Sequence, residues 1–202
     1  GLNYADHIAE TNLATHDFPE IFMKTTNALA NHQDTITIED VSFHYDYEGE
    51  LVIVIGKSGK NIPRDKAKEH ILGYTIGNDV SASALQFRGS QWILGKSLDN
   101  FAPIGPVIVS HDEFDFDNAT ITTTVNGEVR QQAQLQQMLF KPDAIIEFVS
   151  RYITLQEGDI IFTGTPSGVV LGKNEERYDW LKSGDTVSIT ISGIGTLVNQ
   201  FK

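Results

Sequence analysis

Apolar and polar positions along this chain alternate mostly with a period of two, the repeat of strands, and only a few segments carry a helical spacing. Thr35-Ile36-Thr37-Ile38 alternates with β-branched residues, which predicts a half-buried strand leading through Val41 and Phe43 toward residue 48. After Glu50 the pattern changes: Leu51-Val52-Ile53-Val54-Ile55 is apolar at every position, as in a strand covered on both faces. Asn126-Gly127, between Thr120–Val125 and Glu128–Gln132, is the dipeptide that two-residue hairpins favour. Gly158-Asp159 turns into a strand at Ile160-Ile161-Phe162, and Thr186 to Leu197 reads as a closing strand pair.

Helices are fewer. Pro63 suits a helix start, and Ala67, Ile71 and Leu72 follow at helical spacing, which predicts a helix over Arg64 to Leu72. Lys141-Pro142-Asp143 opens another over Ile145, Ile146, Phe148, Val149 and Tyr152, with proline and an acidic residue in its first turn. Loop-like composition is confined to Ser167 to Asp179 and the stretch around Leu13–Pro19. With 202 residues and no internal repeat, the pattern predicts one β-rich, mixed α+β domain.

The formal net charge of −12 disfavours nucleic acid and anionic membrane as partners, since both require a basic footprint. There is no cysteine, which removes disulfides, thiolate nucleophiles and zinc–sulfur sites and is compatible with a reducing, cytoplasmic setting. No apolar run approaches the roughly 20 residues that cross a bilayer. The chain starts at Gly1 directly in motif-like sequence, without methionine, so a small preceding N-terminal segment is expected.

The sharpest chemical signal is Glu48-Gly49-Glu50, set at the mouth of the apolar strand. Residues two apart in a strand point the same way, about 6.5–7 Å apart along the backbone, close enough for their oxygens to converge on one cation. Gly49 between them gives the opposite face no side chain to pack, which weakens the plain reading of two solvated glutamates. A third carboxylate, Asp79, follows in Ile76-Gly77-Asn78-Asp79. By contrast, Gly56-Lys57-Ser58 and Gly95-Lys96-Ser97 are not phosphate-binding loops. The glycine required five residues earlier is replaced by Leu51 and Ser90. No dinucleotide fingerprint opens a helix after a strand.

Other residues suit the surroundings of a metal, although each alone also has an ordinary structural reading. His7 and Glu10 are three apart, on one face of a helix, where a carboxylate can hold an imidazole in the tautomer of a water activator. Lys96 is flanked by Gly95 in a segment of low charge. Thr163-Gly164-Thr165-Pro166-Ser167-Gly168 offers hydroxyls and backbone N–H groups of the kind that bind a carboxylate.

Taken in order, these pieces resemble the fumarylacetoacetate hydrolase superfamily. The matching segments are Gly-Leu-Asn-Tyr-Ala-Asp-His at 1–7, Ile-Phe-Met-Lys at 21–24, Tyr-Glu-Gly-Glu-Leu at 47–51, Gly-Tyr-Thr-Ile-Gly-Asn-Asp at 73–79, Gly-Lys-Ser-Leu-Asp at 95–99 and Gly-Asp-Ile-Ile-Phe-Thr-Gly-Thr-Pro-Ser-Gly at 158–168. The resemblance implies a fumarylacetoacetase-like rolled mixed β-sheet core with a few short helices, assembled as a homodimer. It implies Mg²⁺ or Mn²⁺, with Ca²⁺ able to stand in, held by Glu48, Glu50 and Asp79. It places His7 and Glu10 on a lid, running to about Phe18, that orders over substrate. Lys96 falls on the active-site lysine, and Lys24, Gln86 and Thr165 fall on substrate-contacting positions. One departure stands out: many relatives have Arg-Asp where this chain has Ser83-Ala84.

The expected activity is hydrolysis of a C–C bond in a 2-oxo or 1,3-diketo acid of acylpyruvate or fumarylpyruvate type. The metal stabilises the enolate, His7 oriented by Glu10 activates water, and Lys96 supports the leaving enolate. The same enolate arises in decarboxylation of an oxaloacetate-like acid or isomerisation of a 2-hydroxyhepta-2,4-diene-1,7-dioate, and hydrolases, decarboxylases and isomerases share these motifs. A metal-binding homologue with impaired catalysis is the alternative outside enzymes.

Overall fold

Two five-stranded sheets pack across the apolar face of the strand that begins at Gly49. The computed structural model describes residues 1–11, 17–172 and 179–202. Much of both loop-like stretches, at 12–16 and 173–178, lies outside the described residues, as does the middle of the expected lid.

The first sheet contains β1 (Leu29–Asn31), β4 (Gly49–Ile55), β5 (Ile71–Asn78), β7 (Ala102–Ser110) and β10 (Ile160–Phe162), in the order β1-β7-β5-β4-β10. The second contains β2 (Thr35–Ile36), β8 (Thr120–Val125), β9 (Glu128–Gln134), β11 (Thr186–Ile191) and β12 (Gly195–Phe201), in the order β2-β12-β11-β8-β9. Among the described residues only β1 with β7 and β2 with β12 are parallel, so the fold is a curled, mixed sheet assembly. A ribbon of β3 (Tyr45–Asp46) and β6 (Ser81–Ala82) adjoins it. The helices are α1 (Ala5–Thr11), α2 (Ser83–Gln86), α3 (Ile93–Lys96) and α4 (Pro142–Tyr152). Among the described residues no helix is long and apolar enough to cross a membrane.

Alternation along β4 divides its side chains. Leu51, Ile53 and Ile55 join Tyr74 and Ile76 of β5 and Ile121, Ile189 and Leu197 of the second sheet in one buried cluster. Glu50, Val52 and Val54 take the other face. Gly77 of β5 is cross-strand from Glu50, and a Cβ there would meet Phe162 at 2.4 Å and Val52 at 2.6 Å, so only glycine fits this crowded face.

The Asn126-Gly127 turn joins β8 and β9 with both residues at positive φ, 52° and 84°, the geometry that the dipeptide demands. Pro142 begins α4 as expected. Two expectations need correction. The strand at residue 35 ends at Ile36, because its partner β12 ends at Phe201; Val41–Phe43 is a 3-10 turn in which Asp40 accepts from the Ser42 N–H. The segment from Arg64 is a 3-10 helix ending at His70, and Ile71 and Leu72 already belong to β5, where pairing with β4 takes Ile71 into the ladder and leaves Leu72 exposed.

Candidate active site

The register of β4 on β5 assembles three carboxylates. Gly49 pairs with Asn78 and Glu50 with Gly77, so Glu48 and Asp79 face each other just beyond the ladder. There the Asp79 N–H donates to Glu48 O at 2.9 Å, and the Glu48 N–H donates to Asn78 Oδ1 at 2.9 Å. Glu48, Glu50 and Asp79 each offer an oxygen within 4.8 Å of the others. Slipping the register by one residue would turn the glutamates into the core. Gly49 between them points at the second sheet, where a Cβ would sit 2.2 Å from Thr123 Oγ1. Thr123 is fully buried, so Gly49→Ala should destabilise the fold by about 1–3 kcal/mol or more, as overpacked cores do; chemical denaturation measures it.

Two lysines enter the cluster. Lys96 Nζ donates to Glu48 Oε2 at 2.8 Å and to Asp79 Oδ2 at 2.9 Å, and Lys24 Nζ donates to Asp79 Oδ1 at 2.6 Å. Burial by itself lowers the Lys96 ammonium, but Asp79 and Glu48 outweigh it and hold it above the ordinary lysine value. Asp79 is likewise raised by burial, yet the two lysines bring it below the usual carboxylate range. Glu50 has no lysine. Burial, with the charges of Asp79 and Glu48, pushes it up to about 8, and the Gly164 N–H at 2.6 Å only partly offsets this. Once Glu50 gives up its proton, the three carboxylates outnumber the two lysines, and this all-oxygen donor set fits a hard divalent cation such as Mg²⁺ or Mn²⁺.

Glu50 therefore keeps its proton at neutral pH until a cation displaces it. Cation affinity should rise with pH up to about 8, with a proton released at pH 7, countable by calorimetry in buffers of different ionisation enthalpy. The stability contribution has the opposite slope in the metal-free protein. A carboxyl raised from 4.5 to about 8 stabilises the fold below pH 4.5, and that contribution is lost as pH rises through 8. Glu50→Gln should flatten this part of the Tm–pH curve.

The segment from Thr163 to Leu171 ties these carboxylates to α1. The Thr163 N–H and hydroxyl both donate to Leu51 O, and the Thr163 carbonyl accepts from Asn3 Nδ2 at 2.8 Å. Next, the Gly164 N–H donates to Glu50 and the Thr165 hydroxyl donates to Gly49 O at 3.0 Å. Ser167 Oγ donates to Asp6 Oδ2 at 2.7 Å, and the Gly168 N–H donates to both oxygens of Glu10, at 3.1 and 2.9 Å. Finally the Val170 and Leu171 N–H groups donate to the buried Asp46 carboxylate, whose pKa burial pushes up to about 6. The backbone N–H groups of 163–168, read from sequence as suited to binding a carboxylate, here hold Glu50 and Glu10 of the chain itself.

His7 Nδ1 donates to Glu10 Oε1 at 2.8 Å on the formed helix α1, and His7 is buried. The Gly168 N–H fixes Glu10, and Glu10 fixes the imidazole. Lys96 ends α3, and Gly95 before it is required by close approach, since a Cβ there would meet the Gln86 backbone N at 2.4 Å. Gln86 is buried at the end of α2, and this contact packs it beside the lysine helix. The Thr165 hydroxyl is buried between Gly49 and Gln131. Ser83, at the departure from the family pattern, carries a buried hydroxyl without a hydrogen-bond partner. A cavity of about 620 Å³ opens beside Glu50, Asp79 and Lys24, with Phe22, Val149 and Phe162 among its walls. Sequence reasoning did not find Asn3, Asp46 or Gln131. Only Asp46 gave a signal, the same two-residue spacing as Glu48 and Glu50, and the ribbon with β6 takes it elsewhere.

The sequence and the fold are matched by known proteins. The family model described as fumarylacetoacetate hydrolase, C-terminal, matches residues 1–202. An oxaloacetate tautomerase of Bacillus subtilis is 44% identical over 205 residues, covering 99% of this chain and 67% of that protein. The crystal structure of a 5-carboxymethyl-2-hydroxymuconate delta-isomerase from Mycobacterium smegmatis superposes with a TM-score of 0.87 at 41% identity, over 100% of this chain and 76% of that one. A fumarylpyruvate hydrolase from Pseudomonas aeruginosa, solved with Mn²⁺ and pyruvate, gives a TM-score of 0.88 at 31% identity, over 99% and 86% of the two chains. With its full length matched and its fold shared, this chain belongs to the fumarylacetoacetate hydrolase family.

Proposed function

We propose that the protein is a divalent-metal-dependent enzyme that interconverts the keto and enol forms of a 2-oxo acid of oxaloacetate type. The observation that carries this reading is the Lys96 ammonium, fixed 2.8 and 2.9 Å from Glu48 and Asp79, beside a triad suited to Mg²⁺ or Mn²⁺. The tautomerase relative, at 44% identity, favours it over the hydrolysis expected from the sequence, though that chain extends beyond the matched region.

Glu48, Glu50 and Asp79 would hold a divalent cation, which would supply Lewis-acid polarisation of the 2-oxo group. The chain's own residues do the rest. Lys96 places a fixed positive charge where negative charge develops on the substrate oxygen, without reorganising during the reaction. His7, its Nδ1–H on Glu10, presents Nε2 to take the proton from the carbon next to the carbonyl. The imidazolium then returns a proton to the oxygen, so no bond between heavy atoms breaks. Lys24, on Asp79, and Gln86 are the positions assigned to orienting the substrate, while the Thr165 hydroxyl is held by Gly49 and Gln131. A homodimer and a cytoplasmic setting belong to the same proposal, and sedimentation tests the first.

A second reading is C–C hydrolysis of an acylpyruvate, in which His7 activates water instead. The cavity of about 620 Å³, walled partly by Phe22, Val149 and Phe162, favours it, because a four-carbon diacid leaves most of that space unfilled. One assay separates the two. With Mn²⁺ present, tautomerisation removes the ultraviolet absorbance of enol-oxaloacetate without releasing CO₂ or pyruvate. Enol decay no faster than with Mn²⁺ alone, together with pyruvate release from acylpyruvates, overturns the first reading in favour of the second.

A further inference from the structure

The backbone of Gly49 lies where the sheet ladder runs out. β10 pairs with β4 only at Val52, Ile53 and Val54, so the Gly49 N–H and C=O, pointing to that side, have no strand beside them. Buried backbone groups need partners. Here two side chains supply them: Gln131 Oε1 accepts from the Gly49 N–H at 3.0 Å, and the Thr165 hydroxyl donates to Gly49 O at 3.0 Å. Gln131 Nε2 closes the ring by donating to Thr165 Oγ1 at 2.7 Å, and it also donates to Pro166 O at 2.8 Å.

Every polar atom of the Gln131 amide is thus engaged, and only one orientation satisfies the ring. The reversed amide would set its oxygen against the Pro166 carbonyl and its NH₂ against the Gly49 N–H. Gln131 is 1% exposed and belongs to β9 of the second sheet, and its bond to Gly49 spans 82 residues of sequence. Glycine is the residue least able to hold its own peptide planes, and the planes flanking Gly49 aim the side chains of Glu48 and Glu50. Steric exclusion by Thr123 forbids a stiffer residue there.

We propose that Gln131 is a positioning residue for the metal site: through the ring with Thr165 it fixes the Gly49 peptide and so the separation of the Glu48 and Glu50 carboxylates. The second sheet then acts on the metal without touching it. This rests on the metal-site reading above.

The test is Mn²⁺ affinity, read without substrate from the electron paramagnetic resonance signal of free Mn²⁺, alongside Tm. Gln131→Met and Thr165→Val should each weaken Mn²⁺ binding about 10–100-fold, the range for residues that hold metal ligands in place. The double variant should lose little more, because both act through one ring. Thr165→Ser, which keeps the hydroxyl, should stay within about twofold of wild type. Ile146→Val, a buried change in α4 at a position that does not line the cavity, serves as the stability control. Wild-type affinity in Gln131→Met, or equal loss in Ile146→Val at the same fall in Tm, overturns the proposal. If Gln131→Met does not fold, equal affinities in Thr165→Val and Thr165→Ser overturn it instead. A wild-type protein that leaves the Mn²⁺ signal unchanged overturns the metal-site reading itself, an outcome distinct from variants that bind as wild type does.

Discussion

Replacing His7 by alanine should lower kcat by about 10²–10⁴-fold, the usual worth of a positioned general base, while Mn²⁺ affinity stays near wild type. The reason is separation of roles. His7 is held by Glu10 on α1, and its hydrogen bonds involve none of the three clustered carboxylates. Glu10→Gln should also lower kcat, and the double variant should be little worse than His7→Ala, since the two act as one unit. Steady-state rates at saturating Mn²⁺, with free Mn²⁺ followed separately, decide this. An unchanged kcat removes His7 from the mechanism, and a matching loss of metal affinity makes it a residue of the metal site.

Lys96→Met should have two effects of opposite sensitivity to metal. Lys96 is 2% exposed and pairs with Glu48 and Asp79, so in the metal-free protein its removal leaves the half-buried Glu48 without its lysine and the buried Asp79 with Lys24 alone. Breaking such a buried pair costs about 3–5 kcal/mol, visible as a lower denaturation midpoint. Saturating Mg²⁺ should recover much of it, because the cation replaces the missing charge and stabilises the fold it binds. Turnover should not recover: loss of a fixed charge aimed at a developing oxyanion costs about 10²–10³-fold. Full activity of Lys96→Met at saturating Mg²⁺ would remove Lys96 from catalysis.

Local patterns were enough for much of the fold. Strand β4, the hairpin at Asn126-Gly127 and helix α4 could all be read directly, because each depends on spacing within a few residues. The expected helix reaching Leu72 was not correct. Ile71 and Leu72 fit either period, and the ladder on β4 and β7 decided in favour of the strand. The short helices α2 and α3 had no readable period, since one turn is too short to carry one.

The sequence alone determined that Glu48 and Glu50 share a face, that His7 and Glu10 share a helix face, and that these motifs in this order resemble one enzyme superfamily. Those are relations between near neighbours, and backbone periodicity fixes them. The tertiary structure decided what only chain closure can decide. It set Asp79 opposite Glu48, brought Lys24 and Lys96 together onto Asp79, and sent Asp46 to the Val170–Leu171 backbone despite its matching spacing. It also drew Gln131 onto Gly49 from the other sheet. The physical reason is that a buried backbone group must find a partner wherever the ladder ends, and which distant side chain reaches it follows from how the two sheets pack.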